Sequence, residues 1–213
     1  GIEPVKGMVV EGNNNYYMGN YPNYLMPEIE SHEITDPISE GNYYVLLPVA
    51  QGLRISSDAD YSGDVSESEE IQTTALLRTT DSAYSKADGI KATNAEKEDG
   101  DIDAGSDGFA LAAAAESSAD GSKVVWIGST TIADETVDSA VAGADTDFVL
   151  NAVGWMCEIE ESVSIHAKTV TSEYLSLTSA QTNRWTAVMV GVVPIGFLAV
   201  GIYVWARRRK IHG

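Results

Sequence analysis

The sequence predicts an α/β domain followed by one membrane-spanning helix. Three observations carry this. Short apolar runs bounded by Gly, Pro, Asn and Asp are interleaved with helical periodicity, the pattern of strands mixed with helices. Residues 185–206 hold no charged side chain. Four basic residues, Arg207, Arg208, Arg209 and Lys210, follow at once.

The elements come in this order. Residues 5–10 ("VKGMVV") read as a short strand. Residues 11–24 ("EGNNNYYMGNYPNY") are loop by their Asn, Gly and Pro content. Tyr16, Tyr17, Tyr21 and Tyr24 crowd there. They suit a ligand platform or, more simply, the cover of a core edge, since tyrosine offers an apolar body with a wet tip. Residues 43–48 ("YYVLLP") and 71–78 ("IQTTALLR") read as buried strands. Residues 109–116 ("FALAAAAE") are ambiguous: alanine favours helix, while the short span between loops favours strand. Residues 123–127 ("KVVWI") form the clearest strand, ended by Gly128. Residues 145–157 are helical, with Phe148, Val149, Ala152, Val153 and Met156 at the spacing of one face. Residues 162–167 alternate as a final strand. The polar, acidic stretches 56–70 and 86–108 read as mobile surface loops.

The charge-free run is about 33 Å long as a helix, enough to cross a hydrocarbon core of ~30 Å. A buried soluble helix would show a polar face, and this one has none. Trp185 opens the run, and Tyr203 and Trp205 close it, as interfacial aromatics do. Pro194, with Gly191 and Gly196, would kink or thin the helix, which membrane helices tolerate. Only Arg184 flanks the other side, so the positive-inside rule places the C-terminus in the cytoplasm and the rest outside. "TSAQ" is a capping-box pattern that starts the helix at Ser179 with Thr178 as N-cap. Ala187 and Gly191 form a small-residue pair suited to helix contact. A sortase signal would need a Leu-Pro-x-Thr-Gly-like stretch before the run, and "YLSLTSAQTNR" is not one. The division is therefore an extracytoplasmic domain (1–170), a juxtamembrane linker and helix start (171–184), the membrane helix (185–206) and a basic cytoplasmic tail (207–213). The chain begins at Gly1 without a signal peptide. An outside domain then implies a processed chain, or a fragment whose export signal lies upstream.

The formal net charge is −19, and removing the basic tail leaves −23 on the outside portion. Such a surface argues against nucleic-acid binding. The single cysteine, Cys157, precludes an internal disulfide. Asp99, Asp101 and Asp103 have the one-three-five spacing of a calcium loop. However, Ala104 stands where the turn wants Gly, and Ala110 where a bidentate Glu is needed. The loop is read as solvated acid, with weak calcium binding left open. Cys157 and His166 are the tempting catalytic pair. Yet Cys157 falls at a helix end, away from the favourable dipole, and reads as a small packing residue. His32 and His212 lack metal-like partners. With no phosphate loop and no nucleophile elbow, the chain is read as no enzyme, with no cofactor and no metal site.

Together "KVVWIGSTTIAD", "DTDFVLNAVGWMCEIEESVSIHAKT", "YLSLTSAQ", one membrane helix and "RRR" resemble the C-terminal part of GldG-like proteins. These are auxiliary components of ABC-type transport systems, first tied to gliding motility. "TTALLRTTDSAY", "GIEPVKGMVV" and "PEIESHEIT" resemble further stretches of the same half. The resemblance spans nearly the whole chain. It implies the later part of a glutamine-amidotransferase-like, flavodoxin-like α/β domain without the amidotransferase nucleophile. It also implies an upstream helix, a further outside domain, and as partners an ABC permease and, through it, the ATPase subunits. One departure stands out: the family's "GDSDF" after the central strand is here Gly128, Ser129, Thr130, Thr131 and Ile132.

The expected function is that of a non-catalytic, membrane-anchored subunit of an ABC-type transport system, binding or scaffolding partner proteins or cargo at the cell envelope. The alternative is a stand-alone cell-surface binding or adhesion protein.

Overall fold

The structure is a computed structural model that describes residues 1–58, 61, 71–92, 94–158 and 178–211. Helices and antiparallel sheets are mixed in it, and every strand pair among the described residues is antiparallel. The parallel core of a flavodoxin-like sheet is not among these pairs.

The main sheet is built on β10 (Ala110–Ser117). On one flank it pairs β7 (Ile71–Arg78), which in turn pairs β4 (Glu28–Ile29). On the other flank lie β11 (Lys123–Ile127) and, at Ala110, β6 (Leu53–Ile55), which pairs β1 (Ile2–Pro4). The ambiguous alanine run is thus the central strand. Tertiary pairing on both flanks overrides its helix propensity.

Two register shifts between β7 and β10 make Leu76 and Leu111 the extra residues of β-bulges. Each bulge turns consecutive side chains to the same side, so Leu76, Leu77, Leu111 and Ala112 all enter the main core. Leu53, Ile55, Ala75, Ala110 and Ala113 form a smaller cluster with Ile2 packed against it. Gly128 closes β11 where the backbone passes Gln51: its N–H donates to Leu111 O, and Gln51 N–H donates to its carbonyl, both at 2.8 Å. A Cβ there would stand 2.1 Å from Gln51 O, which explains the glycine.

Among the described residues, two smaller sheets hold the remaining paired strands. β2 (Met8–Val10), β8 (Tyr84–Lys86) and β9 (Ile102–Asp103) form one, and β3 (Tyr24–Leu25) with β5 (Leu47–Pro48) the other. The expected strand 5–10 is divided, because Gly7 turns at φ +111° and Val5 N–H donates to Gly52 O. Only Leu47–Pro48 of the expected strand 43–48 pairs. Tyr43 N–H instead donates back to Ile38 O, Leu46 N–H donates to a carboxylate, and Tyr43 and Tyr44 are exposed.

The helices are α1 (Asp36–Glu40), α2 (Glu135–Ala140) and α3 (Ala144–Met156). α2 is capped by Asp134, whose carboxylate accepts from Thr136 N and Val137 N. α3 matches the expected helix to one residue at each end, but its inward face is rotated. Ala144, Asp145, Phe148, Asn151, Ala152 and Gly154 are buried, while Val153 and Met156, expected inside, are exposed with Leu150. Cys157 caps the helix end as expected, yet it is exposed rather than packed, because it follows that outer face.

Described residues of the two acidic stretches make specific contacts. Asp58 is buried and accepts from Ile55 N and Arg78 Nη2, both at 2.9 Å. The 86–108 stretch contains Lys86 in β8, and β9. Arg54 donates to the carbonyls of Asp103 and Ala104, and Arg78 to that of Asp107. Arg54, which is buried, and Arg78, which is half-buried, thus hold this stretch by its backbone carbonyls. The expected strand 162–167, the linker 171–177, His166 and His212 lie outside the described residues.

Thr178 caps the last helix as the sequence predicts: its side chain accepts from Gln181 N, and Gln181 reaches back to its N–H. The helix runs as α4 (Ser179–Thr186), a π-helical stretch (Ala187–Val192) and α5 (Val193–Ile211). The wide turns precede Pro194, which has no N–H to donate and whose ring crowds the carbonyl one turn earlier. Among the described residues, one helix is long and apolar enough to cross a membrane. It covers Gln181–Tyr203, 23 residues of mean hydropathy 2.1, and none of it is buried against the domain.

Candidate functional site

A cavity of about 340 Å³ opens between the tyrosine-rich loop and the segment after α1. Loop geometry positions its walls. Met26 N–H donates to Tyr16 O, and the β3–β5 pairing brings the segment carrying Tyr43 and Tyr44 alongside. Asn15, Tyr16, Glu28, Ser39, Asn42, Tyr43 and Tyr44 supply the polar and aromatic lining. The Tyr16 hydroxyl donates to Glu28 Oε1 at 2.6 Å. That hydrogen bond, with burial and the charges of Glu28 and Glu11, raises the phenol above its ordinary pKa. Tyr16 is therefore a hydrogen-bond donor rather than a base. Aromatic faces, amides and one carboxylate can bind a ligand. Among the described residues the lining has no Cys, His or Lys, and its one serine, Ser39, donates to Asp36 O. Of the four tyrosines singled out by sequence, only Tyr16 lines this cavity. Tyr43 and Tyr44, missed because 43–48 read as a buried strand, line it too.

The residues weighed for chemistry stand apart. Asp101, central to the calcium-like spacing, turns inward and pairs with buried Lys86 at 3.0 Å. It also accepts from Ala87 N and Glu98 N. Burial works against its charge, but these hydrogen bonds and Lys86 hold it below the usual carboxylate range. For Lys86, burial lowers the pKa, while Asp101 and Glu98 outweigh it and leave the ammonium raised. Asp103 is paired with Lys97. Two of the three aspartates thus already neutralise lysines.

His32 Nδ1 accepts from Ile34 N at 3.2 Å, and its ring meets Trp155 edge-on at 5.2 Å. Burial is the main cause that lowers its pKa, so the imidazole is neutral at pH 7. Lys123 lies over the other partner of this stack, 4.9 Å from the Trp155 ring centre. His32 and Trp155 thus serve to dock α3 on the sheet. At the turn after β11, Ser129 Oγ and Thr131 Oγ1 both donate to Pro48 O, at 2.7 and 2.8 Å. Ser129 and Thr131 therefore hold β5 in place.

Among the described residues the most unusual ionisable group is Asp145, which no sequence signal marked. It is fully buried in the first turn of α3, where Oδ1 accepts from Leu46 N at 2.9 Å. Oδ2 is buried without a hydrogen-bond partner among the described residues. Burial drives its pKa up to about 7, against the pull of the Leu46 N–H and with help from the charge of Asp138.

Compared with known proteins, the chain matches no family model, no curated protein and no solved structure.

Proposed function

We propose that this chain is a non-catalytic, single-pass subunit of an ABC-type transport system. Its acidic domain lies outside the cell membrane, its C-terminus lies in the cytoplasm, and its helix sits beside a permease that links it to the ATPase. The observation that carries the reading is the capped helix from Thr178, long and apolar enough over Gln181–Tyr203 to cross a membrane and unburied by the domain. An exposed apolar surface of that size calls for an apolar partner or a bilayer around it. The GldG-like stretches add support. "KVVWIG" is a strand ended by a required glycine, "FVLNAVGW" is the helix docked by Phe148 and Trp155, and "LTSAQ" is the cap. In this reading the antiparallel strands belong to the later part of a glutamine-amidotransferase-like domain, and binding or scaffolding is its work.

Protease added to cells stripped of any outer barrier should digest the domain and spare a tag placed after Gly213, by the four-to-one basic bias across the helix. The full chain should also co-purify with a permease encoded beside it. A protected domain overturns the topology. A correctly oriented chain that never retains a permease overturns the transport assignment.

A further inference from the structure

We propose that the tyrosine-rich face around residues 13–24 docks on the head-group layer of the membrane that the C-terminal helix enters. The inference rests on the membrane reading above. Its structural basis is a backbone bridge between Met18 and Thr178, the N-cap of the helix. Thr178 lies seven residues before Trp185, about 10 Å of helix, and three before Gln181, about 5 Å. A head-group layer is roughly 5–8 Å thick on each side of the hydrocarbon. Met18 is therefore held at the level where head groups begin.

What the bridge brings to that level is suited to it. From Gly12 to Pro27 no residue is charged, and the adjoining segment from Asn42 to Leu53 is uncharged too. Pairing of Tyr24 with Pro48 and Leu25 with Leu47 joins the two into one surface. Tyr21 is 64% exposed and Tyr44 52%, in a domain whose surface is otherwise strongly acidic. An uncharged face avoids the repulsion that anionic lipids would exert on the rest of the domain. Tyrosine prefers the interface, with its ring toward the acyl chains and its hydroxyl among head groups.

The loop is also organised in advance. Tyr24 N–H donates to Tyr21 O and Met18 N–H to Tyr24 O, both at 2.9 Å, and the Tyr21 and Tyr24 rings lie 5.4 Å apart. The tyrosines thus form a rigid foot beside the helix, and the domain stands on two supports instead of one.

The test uses the full chain with Cys157→Ser, reconstituted in phosphatidylcholine nanodiscs, carrying one spin label at a time at Tyr21→Cys, Asp120→Cys or Met189→Cys. Asp120 lies in the turn between β10 and β11, near the Ile71 end of β7, whereas the tyrosine loop enters the sheet at the Arg78 end. The readout is collision with lipid-dissolved oxygen relative to a water-soluble nickel chelate. The expected result is a severalfold higher ratio at position 21 than at 120, approaching that at 189. A lipid-like ratio at 189 with a water-like ratio at 21 overturns the docking and leaves the membrane helix standing. A water-like ratio at 189 overturns the membrane reading itself. Shielding of position 21 from both reagents means a second protein copy covers the face, and that also overturns the proposal.

Discussion

Asp145→Asn should make the protein more stable than the wild type above pH 7, by an amount that shrinks as the pH falls. The carboxyl titrates at about 7 in the fold, against 3.8 for an ordinary aspartate. A raised folded pKa means that the folded state holds the proton more tightly than the unfolded chain does. The stability this group contributes is fully present below about pH 4 and is lost as the pH rises through 7. Three units correspond to about 4 kcal/mol at most, before relaxation of the site. The asparagine keeps an oxygen for Leu46 N–H and cannot ionise. The charged groups with opposite linkage, Asp101 and Asp134 among them, are common to both proteins and cancel in the difference. Denaturant titrations of the detergent-solubilised full chain at pH 5, 6, 7 and 8 measure it. A difference that stays flat across that range would show that Asp145 is already ionised at pH 5.

Phe148→Ala should cost about 3–5 kcal/mol, the usual penalty for deleting a fully buried ring. Val153→Ala on the same helix should cost within about 0.5 kcal/mol, since Val153 is 44% exposed. Helical periodicity assigns both residues to one inward face, so the pair separates the pattern in the sequence from the packing in the fold. Equal losses would mean that α3 is rotated from its described position.

That rotation shows where sequence reading stops. Periodicity counts apolar side chains, but two of the residues that α3 buries are polar. Asp145 goes inside to accept from Leu46 N, and Asn151 to donate to Ile34 O at 3.1 Å, partners about a hundred residues away. No local pattern announces such a bond. The acidic 86–108 stretch was opaque for the same reason, since its anchors are Arg54, Arg78 and Lys86 on separate strands. Strands of two residues, such as Tyr24–Leu25 and Ile102–Asp103, are too short to alternate. Local signals were legible. The capping box at Thr178, the apolar helix and the strand ended by Gly128 each depend on neighbours in sequence. The aromatic lining was half legible: tyrosine clustering marked the loop, but the cavity forms only when Tyr43 and Tyr44 arrive from another segment.

The alanine strand at the centre of the sheet has a kinetic consequence. Alanine is the strongest helix former and a poor strand former, so Ala112, Ala113, Ala114 and Ala115 locally favour the wrong structure. Only pairing with β7 and β11 makes them a strand. A segment whose local preference opposes its final state adds to the barrier for reaching it, because the non-native turn must be undone first. Refolding should therefore be limited by recruitment of β10 into the sheet. Ala115 is half-buried, opposite Thr73 and Val124, so a β-branched residue fits there without crowding the core. Ala115→Thr should speed refolding in stopped-flow measurements more than it slows unfolding. An unchanged refolding rate would place the barrier elsewhere in the chain.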